Sequence, residues 1–207
     1  MKNIPGSIGI KLRYFFYKPL FFECGKNVRI GLGVIFNNIH KISLGNNIRI
    51  DEYCIFNVGK INKRRIFSSN KFNLNQIKNS KIKLIIDDYV HINQFCLISS
   101  FNYMKIDKYC TFSSGVKIYN VSHHFRNNKK RDQITYANNL DKKKAAYNSL
   151  VVSELIIHEN VFVSINAIIL NGSIGKNSFI YPNSIVNGDI RENSVFKDNK
   201  IIGRRFK

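Results

Sequence analysis

The spacing of its large apolar residues predicts that this chain is all-β, a solenoid of short strands, and the residues between them agree. Large aliphatic or aromatic side chains recur at Ile30, Phe36, Leu44, Ile50 and Phe56, then at Ile86, Ile92, Ile98, Ile106, Phe112 and Ile118, then at Ile157, Val163, Ile169, Ile174, Ile180 and Val186. Eleven of the fourteen intervals within these blocks are six residues, a period that neither a 3.6-residue helix nor strand alternation sustains. Gly, Asn and Asp fall between the apolar positions, as in Leu44-Gly45-Asn46-Asn47-Ile48, Ile86-Asp87-Asp88-Tyr89-Val90 and Ile174-Gly175-Lys176-Asn177-Ser178. These residues tolerate left-handed backbone angles, so each unit reads as a short strand closed by a corner. Three units make a triangular coil, and stacked coils bury a ladder of Ile and Val.

The 207 residues divide accordingly. Residues 1–26 form a basic aromatic segment with Ile8, Ile10, Leu12, Tyr14, Phe15, Phe16, Leu20, Phe21 and Phe22 among Lys11, Arg13 and Lys18. Two readings stay open: a helix covering the open first coil, or a segment lying in a membrane interface. The repeat domain spans residues 27–203 and is interrupted at 60–83 and 125–150, and residues 204–207 are a basic tail. Insertions that leave a rigid repeat and return in register are usually surface loops, which carry binding function disproportionately often.

Thirty-three Lys and Arg against 13 Asp and Glu leave a net charge of +20, a balance that usually announces a polyanionic partner. The excess is local. Residues 60–83 hold eight basic and no acidic side chains, and residues 125–150 hold seven against two, while the repeat itself is almost neutral. No stretch reaches the roughly 18 apolar residues of a membrane span. No secretory signal is read at the start, so a cytoplasmic location is expected, with peripheral contact at the inner membrane surface as an option. Cys24, Cys54, Cys96 and Cys110 lack metal-type spacing and are expected to be buried thiols. His40, His91 and His158 stand singly, so no metal is expected. Neither a phosphate-binding Gly loop nor a nucleic-acid motif is found.

The stretch Glu159-Asn160-Val161-Phe162-Val163-Ser164-Ile165-Asn166-Ala167-Ile168-Ile169-Leu170-Asn171-Gly172-Ser173-Ile174-Gly175 resembles the C-terminal coil of the hexapeptide-repeat acyltransferases, in particular the bacterial O-acetyltransferases of polysaccharides and sugars. Phe162 stands where an aromatic residue commonly does, and the similarity covers residues 24 to 203 with the insertions allowed for. The resemblance implies a left-handed parallel β-helix with a short N-terminal cap segment and two inserted loops. It also implies acetyl-CoA as co-substrate and a homotrimer whose neighbouring subunits share the active sites.

It further implies site residues. A histidine five residues after Ile118, leading into an excursion, falls on His123 as catalytic base, with His124 as the alternative. Transfer from a thioester to a sugar hydroxyl removes the alcohol's proton as it attacks, a task suited to imidazole at neutral pH. Asn120 stands where family members often carry an Asp that would orient the ring, and a backbone carbonyl or Ser122 would hold it instead. Asn93 resembles an Asn that sits near the acceptor hydroxyl, and equally a corner Asn. Phe162, Ser164, Asn166, Ala167, Gly172 and Pro182 match the positions along which the pantetheine arm runs. Lys200, Arg204 and Arg205 in the closing segment either meet CoA phosphates or form a solvated tail. The expected activity is O-acetylation of a capsular, lipopolysaccharide or other surface glycan or its precursor, anionic or lipid-linked. The alternatives are N-acetylation of a nucleotide-linked amino sugar and a non-catalytic polyanion-binding module; a nucleic-acid partner is not expected.

Overall fold

The computed structural model describes residues 4–59, 66–68, 81–124 and 149–206, so most of both insertions lies outside the described residues. The repeat winds into a parallel β-helix of six full coils and part of a seventh. Each coil contributes one strand to each of three faces. Face A stacks Glu23–Cys24, Ile42–Leu44, Leu84–Ile86, Met104–Ile106, Leu155–Ile157 and the end of Ile168–Ile174. Face B runs from Arg29–Ile30 through Arg49–Ile50, His91–Ile92, Thr111–Phe112, Phe162–Val163 and Phe179–Ile180 to Ser194–Lys197. Face C stacks Ile35–Asn37, Ile55–Val58, Leu97–Ser100, Lys117–Tyr119, the start of Ile168–Ile174 and Ile185–Asn187.

Every large residue of the repeat from Ile30 to Val186 is buried except Phe36, which is partly covered. A second interior position, two residues earlier, takes smaller side chains where space is tighter, such as Val34, Cys54, Cys96, Val116 and Ala167 before face C. Three of the four thiols thus occupy the core and the fourth, Cys24, is half-buried; all are free. Burial pushes the Cys110 thiol up to about 12.

The corners between faces A and B and between B and C hold one left-handed residue each, as expected for Asn27, Asn47, Asn160, Asn166, Asn177, Asn183 and Asn193. The Asn side chains also join coil to coil, Asn160 to Asn177 at 2.9 Å and Asn177 to Asn193 at 3.0 Å. Coils two to four differ from the expectation. There Tyr53, Tyr89, Phe95 and Tyr109 take the positive φ at four of the six corners, while Asn47 and Gly115 keep the expected residue types at the other two. Their rings lie outside the prism and stack in pairs, Tyr53 on Phe95 (5.6 Å) and Tyr89 on Tyr109 (5.2 Å), a contact that offsets backbone strain.

The third corner, between faces C and A, takes up every irregularity of spacing. It carries the short turn Ile39–Lys41, both long insertions and, in coils five to six, a corner so short that Ile168–Ile174 runs through it as one strand with a bulge between Ile169 and Asn171. That is the five-residue step of the sequence.

Both ends of the helix are closed. In each coil backbone N–H groups donate to carbonyls of the following coil, as Gly31 to Ile50 and Gly25 to Leu44, so the equivalent carbonyls of the first coil, such as Ile30 O and Gly25 O, have no preceding coil to donate to them. The helix Gly6–Tyr17 supplies the donors: Arg13 Nε donates to Ile30 O (2.8 Å) and the Tyr14 hydroxyl to Gly25 O (2.9 Å). Tyr17 and Phe21 pack edge-on against Phe36. The segment is therefore a cap, while Ile8 and Phe15, each 69% exposed, face outward. At the far end Lys200–Arg204 pairs antiparallel with Ser194–Lys197, so Arg204 belongs to a closing strand and not to a free tail.

Candidate active site

After Tyr119 the chain leaves the third corner as the strand Val121–His124. It pairs antiparallel with Ser149–Val152, which places the backbone of His123 opposite Leu150. Leu150 pairs on its other side with Ile66, so the two insertions meet in one three-stranded sheet with His123 on an outer strand. The imidazoles of His123 and His124 lie outside the described residues.

Asn120 is the pivot of this excursion. It is 1% exposed, and its side chain is committed to backbone: Nδ2 donates to Tyr103 O (3.2 Å) and Oδ1 accepts from Phe101 N (2.9 Å). Its own carbonyl accepts from Ser153 N (3.0 Å), where the excursion returns. A carboxylate here has no hydrogen to give the Tyr103 carbonyl, a physical reason for Asn in place of Asp. Burial pushes the phenol of Tyr103 above its ordinary value. Asn93 sits elsewhere, at the corner between faces B and C, with Nδ2 donating to Phe112 O (2.9 Å). Within one chain Asn93 and Asn120 thus stand on different edges.

The expected donor residues divide the same way. Phe162 lies on face B, stacked on Phe179 at 5.3 Å. Ser164, Asn166 and Pro182 follow at the adjoining corner, Ser164 buried and Asn166 exposed at φ 56. Ala167 points into the core and is fully buried, so only its backbone faces a ligand, and its N–H and carbonyl already bond Ser164 and Lys117. Gly172 lies on the third corner at φ 97, where a Cβ would strike the carbonyl of Gly188. Beside it a cleft of about 460 Å³ is walled by Leu170, Ile185, Asn187, Gly188, Asp189 and Asn199. Gly188 has open space where a side chain would project, which leaves bare backbone at the cleft. Lys200 and Arg204 are exposed on the closing strand, and Arg205 Nη1 approaches Asn160 O at 3.5 Å.

Two of the three single histidines are not isolated. His91 Nε2 is 2.9 Å from Asp51 Oδ2, whose other oxygen accepts from Arg49 Nε at 2.7 Å. His158 Nδ1 is 3.3 Å from Asp107 Oδ2, and its Nε2 is 3.0 Å from Ser173 Oγ. A carboxylate beside Nδ1 selects the tautomer with hydrogen there, leaving Nε2 to accept from the Ser173 hydroxyl. Asp107 also holds Lys105 at 2.7 Å, and that hydrogen bond keeps the ammonium above its ordinary pKa. Asp107 and His158 each follow the last buried residue of a face A strand, Ile106 and Ile157, and superposing the repeats would have paired them. Among the described residues no group of three His, Cys, Asp or Glu is placed to hold a metal ion.

No protein-family model matches the chain. It is 29% identical over 108 residues to a dTDP-4-amino-4,6-dideoxy-D-glucose acyltransferase from Escherichia coli, a stretch covering 52% of this chain and 45% of that relative, so less than half the relative's length is spanned. The fold is similar to a variant of AntD, an N-acyltransferase from Bacillus cereus, in complex with dTDP-4-amino-4,6-dideoxyglucose and coenzyme A, with a TM-score of 0.71, 20% identity, and coverage of 94% of this chain and 89% of that one. A hexapeptide-repeat-containing acetyltransferase from Vibrio cholerae, in complex with acetyl coenzyme A, gives a TM-score of 0.59 at 15% identity, covering 100% and 82%. The chain is a left-handed β-helix of the hexapeptide-repeat type, as the resemblance implies.

Proposed function

We propose that this protein is a CoA-dependent acyltransferase that acylates the amino group of a nucleotide-linked amino sugar. The observation that carries this reading is the similarity to the E. coli acyltransferase, joined to the fold shared with AntD over nearly the whole chain. Both relatives act on or bind a dTDP-linked 4-amino sugar. That support favours the amino-sugar reading over O-acetylation of a surface glycan. Under it the acceptor is a small dianionic nucleotide sugar, and the two basic insertions, joined at one corner, are its counter-charge.

His123 is the proposed base: it takes a proton from the attacking nitrogen and returns one to the departing thiol, with no acyl-enzyme. Asn120 holds the root of the excursion that carries it. The donor arm is assigned to the cleft beside Gly172, and the homotrimer belongs to the same proposal.

The test is to offer the purified protein acetyl-CoA and longer acyl-CoA donors with dTDP-4-amino-4,6-dideoxyglucose, and separately with dTDP-glucose. Mass spectrometry should show an acylated amino sugar whose new bond survives mild alkali. His123→Ala should abolish turnover while leaving acyl-CoA binding in place. An alkali-labile product formed on dTDP-glucose, with the amine untouched, would overturn the reading.

A further inference from the structure

The array of Asp107, His158 and Ser173 is built across three successive coils and belongs to none of the residues assigned above. Its three members come from the corner after Met104–Ile106, the corner after Leu155–Ile157 and the strand Ile168–Ile174. The order of contacts, carboxylate to Nδ1 and hydroxyl to Nε2, is that of a proton relay. Ser173 is not read as a nucleophile, because its own N–H is already donated to Asp189 Oδ1 (2.7 Å) and so is withheld from any oxyanion. The backbone of Ser173 is tied to the cleft beside Gly172, since the Asp189 carboxylate that accepts its N–H is also a cleft wall. The array shares a face with the root of the His123 excursion: Ser153, where that excursion rejoins the prism, begins the run that ends at His158.

Amine acylation creates a need that fits such a relay. A protonated amine loses two protons as its C–N bond forms and the C–S bond breaks, and the thiolate takes back only one. A hydroxyl acceptor loses one, which the thiolate recovers. Resting on the amino-sugar reading, we infer that Asp107, His158 and Ser173 form the acceptor of the surplus proton. The amine nitrogen gives a proton to Ser173 Oγ, the Ser173 hydroxyl gives its own to His158 Nε2, and Asp107 stabilises the imidazolium, which releases the proton to solvent through a ring side chain that is 44% exposed. Ser173 and His158 are the groups that handle the proton; Asp107 is a positioning residue. The charged groups facing the array are Lys105 on Asp107, the Lys108–Glu159 pair (3.8 Å) at the same corner, and Asp189 on Ser173.

The inference is tested by pH profiles of kcat for wild type, His158→Gln, Ser173→Ala and Asp107→Asn with a dTDP-linked amino sugar, using His91→Gln as a matched control and thermal melting to confirm folding. The three array variants should lose at least about tenfold in kcat at neutral pH, with KM for acyl-CoA unchanged. They should recover toward wild type as pH rises through the pKa of the substrate amine, where no surplus proton remains. The profile of His91→Gln should follow wild type, and His123→Ala should not recover. A loss that persists unchanged at high pH, or no loss at neutral pH, overturns the relay while leaving the amino-sugar reading intact. Wild-type turnover confined to hydroxyl acceptors overturns both.

Discussion

Replacing Arg13 tests how the open end of the β-helix is sealed. Its guanidinium is 3% exposed and makes two hydrogen bonds, to Ile30 O at 2.8 Å and Ile4 O at 2.7 Å. Arg13→Met keeps the aliphatic stem and removes both. Hydrogen bonds to a charged group contribute about 1.5–3 kcal/mol each, and a buried carbonyl left unpaired costs about 1–3 kcal/mol. Part is regained because the guanidinium no longer needs desolvating, leaving a net loss of about 2–3 kcal/mol. At about 2–4 °C per kcal/mol for a chain of this size, the melting temperature should fall by about 4–12 °C. Arg13→Lys, which retains a charge but only one of the two bonds, should fall about half as far. Differential scanning calorimetry reads both. A melting temperature for Arg13→Met within about 1 °C of wild type would refute the capping argument. The outward face with Ile8 and Phe15 is untouched by either change, so any vesicle binding should be the same in all three proteins.

The corner ladder makes a prediction against the usual order of residue preference. Asn177 sits at φ 60 and bridges Asn160 and Asn193, so Asn177→Ala loses two hydrogen bonds and also meets the left-handed penalty, whereas Asn177→Gly meets only the first. Urea denaturation should find the Gly variant more stable than the Ala variant by about 1 kcal/mol; the reverse order would refute the strain account. The raised pKa of Cys110 has a chemical consequence. With the thiol held up to about 12 by burial, the reactive thiolate is scarce at pH 8, so iodoacetamide should modify Cys110 only after denaturant is added. Rapid alkylation of the folded protein would contradict the core placement.

What was legible in the sequence is what repeats locally. Each coil is closed by its own six-residue units, so the period alone located the buried ladder, and the three departures from it marked a single corner. What was not legible depends on stacking, because the insertions change the distance along the chain between neighbours in space. On face A Glu23 pairs with Ser43, Ile42 with Leu84, Leu84 with Met104, Met104 with Leu155 and Leu155 with Gly172. No constant offset connects these pairs, so Asp107 and His158 look unrelated until the second insertion, which lies between them, is removed. The aromatic corners were missed for another reason. Tyr and Phe are poor left-handed residues taken singly, and the stacked ring of a neighbouring coil supports Tyr89 and Phe95 there.

The charge distribution then bears on which polyanion the protein suits. A nucleic-acid partner calls for an extended basic track along which many phosphates are neutralised. Here the prism is nearly neutral, and its exposed ladders are mixed, as on face B, where Arg29, Arg49 and His91 align but Asp51 compensates Arg49 and His91. The basic excess is concentrated in the two insertions. Ile66–Ser68 and Ser149–Val152 pair side by side, so both insertions are anchored to one small sheet at one corner. A compact ligand with two or three phosphates, such as the nucleotide sugar and CoA proposed above, needs no such track. The same corner carries both insertions and every other irregularity of the repeat. The net charge of +20 therefore describes the interruptions and the ends of the chain far more than the fold.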